Sequence, residues 1–203
     1  MRKIRRAMFY VLGTAGLLFV LAGCAWIYAT STVEHAPYSV LIADGDIEKR
    51  AYPALIAAEV QTAGSRSDAV RAGFSPLARY IFARERPGDQ IAMTAPVTQR
   101  PDDEDRWTIA FIMPATYRMH ELPEPAQGSV SLKPLPPSEN AAIRFSGVAT
   151  DETIAQHEAR LRTWMEAQGY EPGGAPVYAY YNDPWTPGFL RRNEVIIPIL
   201  SPG

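Results

Sequence analysis

Ile91-Ala92-Met93-Thr94-Ala95-Pro96-Val97-Thr98 decides how the chain is read. Ile91, Met93, Ala95 and Val97 alternate with Ala92, Thr94, Pro96 and Thr98, the period of two that marks a strand. Pro96 has no amide to donate, so it marks an edge, a bulge or a break. Both faces are nearly apolar, which predicts a strand covered on two sides. Before this stretch, strands are expected over 38–43 and 47–52 around the Asp44-Gly45 turn, and over 54–61. After it they are expected over 107–113, 129–135, 141–148, 177–181 and 194–200. One helix is expected from a cap at Ser67 or Asp68, carrying Val70, Phe74, Leu77 and Ile81, interrupted at Pro76 and running to about Arg84. A second starts at Thr150 or Asp151, carries Ile154, Glu158, Leu161 and Met165, and closes at Gly169. The helices start about eighty-five residues apart. The order predicts an α+β fold: two β-α-β-β units related by a pseudo-two-fold repeat, forming a curved antiparallel sheet with two helices on it.

The N-terminus has a separate character. Arg2, Lys3, Arg5 and Arg6 precede an apolar run from Ala7 to Ala29, and no acid occurs before Glu34. Basic residues followed by such a run read as a signal peptide or a membrane anchor. Leu21-Ala22-Gly23-Cys24 resembles a bacterial lipoprotein cleavage box, with Cys24 as the lipidation site. Trp26, Ile27 and Tyr28 continue the run past the box, as an uncleaved transmembrane helix would. Both readings stand open, and both place the body outside the cytoplasm, on the periplasmic side. Cys24 is the only cysteine, so no disulfide is expected. The expected division is residues 1–29 as leader or anchor, 30–37 as a polar linker containing a solvated His35, and 38–203 as the body. Without the four leading cations the formal charge moves from −2 to −6, which argues against a nucleic-acid partner.

Ile91 to Val97 resembles the central motif of the SOUL haem-binding protein family. Supporting matches are Tyr80-Ile81-Phe82, Phe145-Ser146-Gly147, and Tyr181-Asn182-Asp183-Pro184-Trp185-Thr186-Pro187 followed by Arg191-Arg192-Asn193-Glu194-Val195. Ala83-Arg84-Glu85-Arg86 departs from the family's usual glycine and asparagines. The resemblance implies a distorted antiparallel barrel with two helices. It also implies non-covalent haem or another porphyrin as ligand, in a shallow hydrophobic groove by the first helix. The same architecture occurs in bacterial effector-binding domains that hold small molecules.

A flat macrocycle needs an apolar slot, and its propionates need cations at the rim. Phe74, Leu77, Ile81 and Met93 are the candidates for the slot, although such a stripe also suits plain core. Arg79, Arg84, Arg191 and Arg192 are candidates for the propionates, since the guanidinium fork matches a carboxylate. His157 borders the buried helix face and His120 sits in a loop. Both are weak metal candidates, and no residue spacing suggests a metal site. Glu194 in an apolar strand calls for a partner such as Arg144 or a tyrosine, or else recognises a cationic ligand. No catalytic set is visible, so a binding protein is expected rather than an enzyme. It would sequester or transfer tetrapyrrole at a membrane; the alternative is a carrier or sensor of other cationic or amphipathic molecules.

Overall fold

The computed structural model describes residues 33–102, 105–126, 128 and 130–200. In chain order these form β1 (Glu34–His35), β2 (Ser39–Asp44), β3 (Ile47–Tyr52), β4 (Leu55–Ala63), α1 (Arg66–Ile81), β5 (Thr94–Ala95), β6 (Val97–Pro101), β7 (Arg106–Ile112), β8 (Ser131–Leu135), β9 (Ser138–Phe145), α2 (Asp151–Ala167), β10 (Val177–Tyr180) and β11 (Asn193–Pro198). The central stretch breaks at Pro96, whose peptide bond with Ala95 is cis. Its second half, β6, lies in the middle of the sheet. Its first half, β5, pairs in parallel with β1. Glu34 and His35, within the expected linker, therefore join the folded body.

Nine strands run in the order β2-β3-β9-β11-β10-β6-β7-β4-β8, each antiparallel to its neighbours. The sheet is curved but open, so the barrel implied by the family is not closed. Each edge carries a device that discourages further pairing: a register shift between Val40 and Ile42 in β2, and Pro134 in β8. Two repeats are plain. β4-α1-β6-β7 and β9-α2-β10-β11 meet where β6 pairs with β10. The repeats also exchange strands. β3, which leads into β4, pairs with β9; β8, which leads into β9, pairs with β4.

Both helices cover one face of the sheet. Ala69, Leu77, Tyr80 and Ile81 of α1 pack on Ala58, Ile109 and Phe111. Ile154, Leu161 and Met165 of α2 pack on Ile143, Val195 and Ile197. Ser65 caps α1, ahead of the two caps expected, and its hydroxyl accepts from the Asp68 amide. The helix runs unbroken through Pro76 and stops at Ile81; Ala83 follows at φ 52°. Thr150 caps α2 as expected. The helices begin side by side: Arg66 pairs with Asp151 and also donates to the Ala149 carbonyl and the Tyr180 hydroxyl.

Candidate functional site

The other face of the sheet carries the hollow. Alternation sends Ala57 of β4, Thr98 and Arg100 of β6, and Ala110 and Ile112 of β7 away from the helices. Here they line a hollow of about 360 Å³ with Tyr52 of the exchanged strand β3 and with Tyr181 and Ile196 from the other repeat. The floor is shallow-sided because it is made of alanines. Ala57 and Ala110 lie under the hollow, and Ala142 and Ala179 continue the same face. A second hollow of about 640 Å³ opens at the proline-rich strand ends, where Met113, Tyr117 and Met119 line it. Pro53, Leu55, Leu135 and Pro136 border both, so the trough on the helix-free face adjoins this second hollow. Each volume lies in the ~300–1,000 Å³ range of small-molecule sites.

A buried charge cluster closes one side. The Glu194 carboxylate accepts from Arg50 Nη1 and Nη2 at 2.7 and 3.0 Å, from Arg192 Nη2 at 2.7 Å, and from the Tyr181 hydroxyl at 2.8 Å. Burial alone would raise its pKa, but the hydrogen bonds and charge of Arg50, with Arg192, hold it below the ordinary carboxylate range. Arg50 stacks on Tyr38 and Arg192 on Tyr181. Burial pushes the Tyr52 phenol up to about 12 and raises Tyr181 further. Both hydroxyls thus stay protonated at neutral pH; Tyr181 donates to Glu194, and Tyr52 accepts from Arg50 Nη1. Glu194 is sealed by its own arginines, with no side-chain surface left for a cationic ligand. The ion-pair reading of Glu194 holds, with Arg50 and Arg192 in place of Arg144.

The sequence-predicted residues separate. Leu77 and Ile81 are fully buried between α1 and the sheet. Phe74 lies at the margin of that face, 39 % exposed and edge-on to Phe111. Met93 is exposed. None of these four lines either hollow. Arg79 pairs with Glu85, and Arg84 lies over Phe82. Arg191 donates to the Thr186 and Pro184 carbonyls, and Arg192 serves Glu194. His157 stacks on Phe145 with its Nδ1 at the Thr153 carbonyl, a structural boundary histidine. His120 is exposed in a short 3-10 turn. His35 is exposed but touches Tyr181 edge-on; burial first and Arg192 next lower its pKa, against Glu194. No group of His, Cys, Asp and Glu among the described residues could hold a metal ion. Among them also no helix is long and apolar enough to cross a membrane. Cys24 and the Ala7–Ala29 run lie outside the described residues. Sequence reasoning missed the trough residues, Arg100 among them. Alternation through Pro96, Thr98 and Arg100 was the available signal.

Fold and hollow together define a groove-bearing α+β body with an internal repeat. The chain belongs to the SOUL heme-binding protein family, whose model matches residues 33–198. No curated protein matches the chain. Among solved structures, the EcmrR C-terminal domain is similar in fold at 14% identity and a TM-score of 0.60, over 80% of this chain and 98% of that one. A hydrolase from Listeria innocua is similar at 14% identity and a TM-score of 0.53, over 79% and 94%. EcmrR in its complex with DNA is similar at 13% and 0.57, over 98% and 70%. At these identities the likeness is one of fold alone.

Proposed function

We propose that the protein binds haem or a related tetrapyrrole in the trough on the helix-free face, for sequestration or transfer at a membrane that its N-terminal segment enters, with the body outside the cytoplasm. Membership of a haem-binding family supports the ligand class. The observation that carries the site is the alanine floor, which leaves an apolar bed where larger side chains would fill it. The helix side has no such bed, since Leu77 and Ile81 are already packed. Within the trough, Leu55, Ile112 and Leu135 would flank a macrocycle, and Arg100 is the cation placed to meet a propionate. Met119 is a thioether at the adjoining hollow. Haem would supply the iron and its redox chemistry; the chain supplies the apolar bed and the rim charge. Binding without catalysis is the reading these groups support.

Hemin titration of the full chain in detergent, followed by the Soret band, is the test. One-to-one saturation is expected. Ala110→Leu, which fills the bed, should weaken binding by about tenfold, equivalent to ~1.4 kcal/mol. Phe74→Glu should leave it unchanged. The opposite pattern would return the site to the margin of α1, beside Phe74 and Met93. Absence of any Soret shift at micromolar hemin would remove haem as the ligand.

A further inference from the structure

The loop between β10 and β11 exposes side chains that are normally hidden from water. Trp185 is 89 % exposed and Phe189 78 %, and Leu190 and Val148 are each more than half exposed. Val148 belongs to the turn before α2, which joins the loop through the Gly147 amide donating to the Gly188 carbonyl at 2.9 Å. The loop is nonetheless firmly built. Asp183 Oδ1 accepts from the amides of Trp185 and Thr186 at 2.8 and 2.9 Å. Arg191 ties the Thr186 and Pro184 carbonyls, and Asn182 Oδ1 accepts from the Arg192 amide. Apolar tips held this firmly and left in water mark an interaction surface.

Two observations select what covers it. First, no charged residue lies between Asp183 and Arg191, and those two are turned to the loop's own backbone, Asp183 through Oδ1 and Arg191 through Nε and Nη2. A protein partner's interface would have a polar rim. An uncharged tip bearing Trp, Phe and Leu suits the boundary between headgroups and acyl chains. Second, the loop's root meets the first residues of the body. His35 lies edge-on to Tyr181 at 5.5 Å, and Arg192 Nη2 donates to the Tyr38 hydroxyl at 3.1 Å. Thr30 to Val33 then lead back to the Ala7–Ala29 run, and four residues span at most ~14 Å.

We infer that Trp185, Phe189 and Leu190, with Val148 beside them, rest in the interface of the bilayer that holds the N-terminal segment. This rests on reading Ala7–Ala29 as a membrane segment. The loop is then a second, non-covalent foot. With the tether it makes two points of attachment, and two points fix the tilt of the body where one would let it swing. The mouth of the trough would keep a constant attitude to the membrane, suited to an amphipathic ligand arriving through lipid.

The test uses the full chain in phosphatidylcholine vesicles whose acyl chains carry bromine near the headgroup end. Bromine quenches nearby tryptophans, and the difference between wild type and Trp185→Phe isolates Trp185. Its exposure makes that substitution harmless to the fold. Trp185 should lose roughly half its intensity, and less when the bromines sit near the chain ends, as an interfacial indole would. An unquenched Trp185 in a variant pair whose remaining signal, from Trp26 among others, is quenched would place the loop off the membrane and overturn the inference alone. Quenching of neither would show that the chain does not enter the bilayer, and would overturn both readings.

Discussion

Glu194 carries the largest single-residue consequence. Its carboxylate stands among Arg50, Arg192 and Tyr181 with no exposed side-chain surface. Glu194→Gln would leave buried Arg50 with Glu48 as its remaining counter-charge and would take from Arg192 the carboxylate it pairs with, and unfolding by urea should show a loss of about 3 kcal/mol. The pH dependence has a defined sign. The folded carboxyl titrates below its unfolded value of ~4.3, so its stabilisation is full above that pH and disappears as pH falls through the lower, folded value. The wild type should lose stability in that acid window, and Glu194→Gln should lack that part of the slope. The sequence showed that Glu194 needs a partner but not which one. Glu48, Arg50 and Tyr52 share a face by simple alternation. Only the exchange of β3 onto β9 brings that face beside β11, and nothing in chain order announces it.

At the level of elements, α1 shows how an apolar stripe in the sequence can differ from the face that is buried. The apolar run Val70, Phe74, Leu77 and Ile81 advertises one face, but the buried face is Ala69, Gly73, Leu77, Tyr80 and Ile81. Two of its positions are small and carry no hydrophobic signal. Gly73 is small because α1 comes down on β7 there: a Cβ would stand 2.5 Å from Ile109 Cγ1. Gly73→Ala should gain ~1 kcal/mol of helix propensity and lose more to the clash, which typically costs ~1–3 kcal/mol. Thermal unfolding should therefore shift downward. A Leu77→Glu variant would report on folding and not on ligand, because Leu77 is completely buried. Ser65→Ala should cost about 1 kcal/mol through the lost cap. The α1 cap differs from expectation for a local reason: Ser65 and Ser67 both suit the position, and only the backbone shows that the helix begins at Arg66.

Across the whole molecule, the strand exchange ties the repeats together. β3 and β8 each sit beside the other repeat's first strand, so neither repeat can keep its sheet if the other unfolds. Denaturation followed by circular dichroism and by tryptophan fluorescence should therefore coincide in one transition. Two separated transitions would show the repeats to be independent. Element order and the repeat were legible in the sequence because the turn signals and the period of two survive in each half. The openness of the sheet and the face bearing the hollow were not, since both depend on pairings between distant strands. The alanines under the hollow have a further consequence for how such a protein can diverge. Each is a methyl group hung on an intact backbone ladder, so exchanging one for glycine or valine deepens or shallows the bed while the scaffold's hydrogen bonds stay in place. Descendants of one ancestor could thus be refitted to guests of different girth by a few point changes, without rebuilding the architecture that carries them.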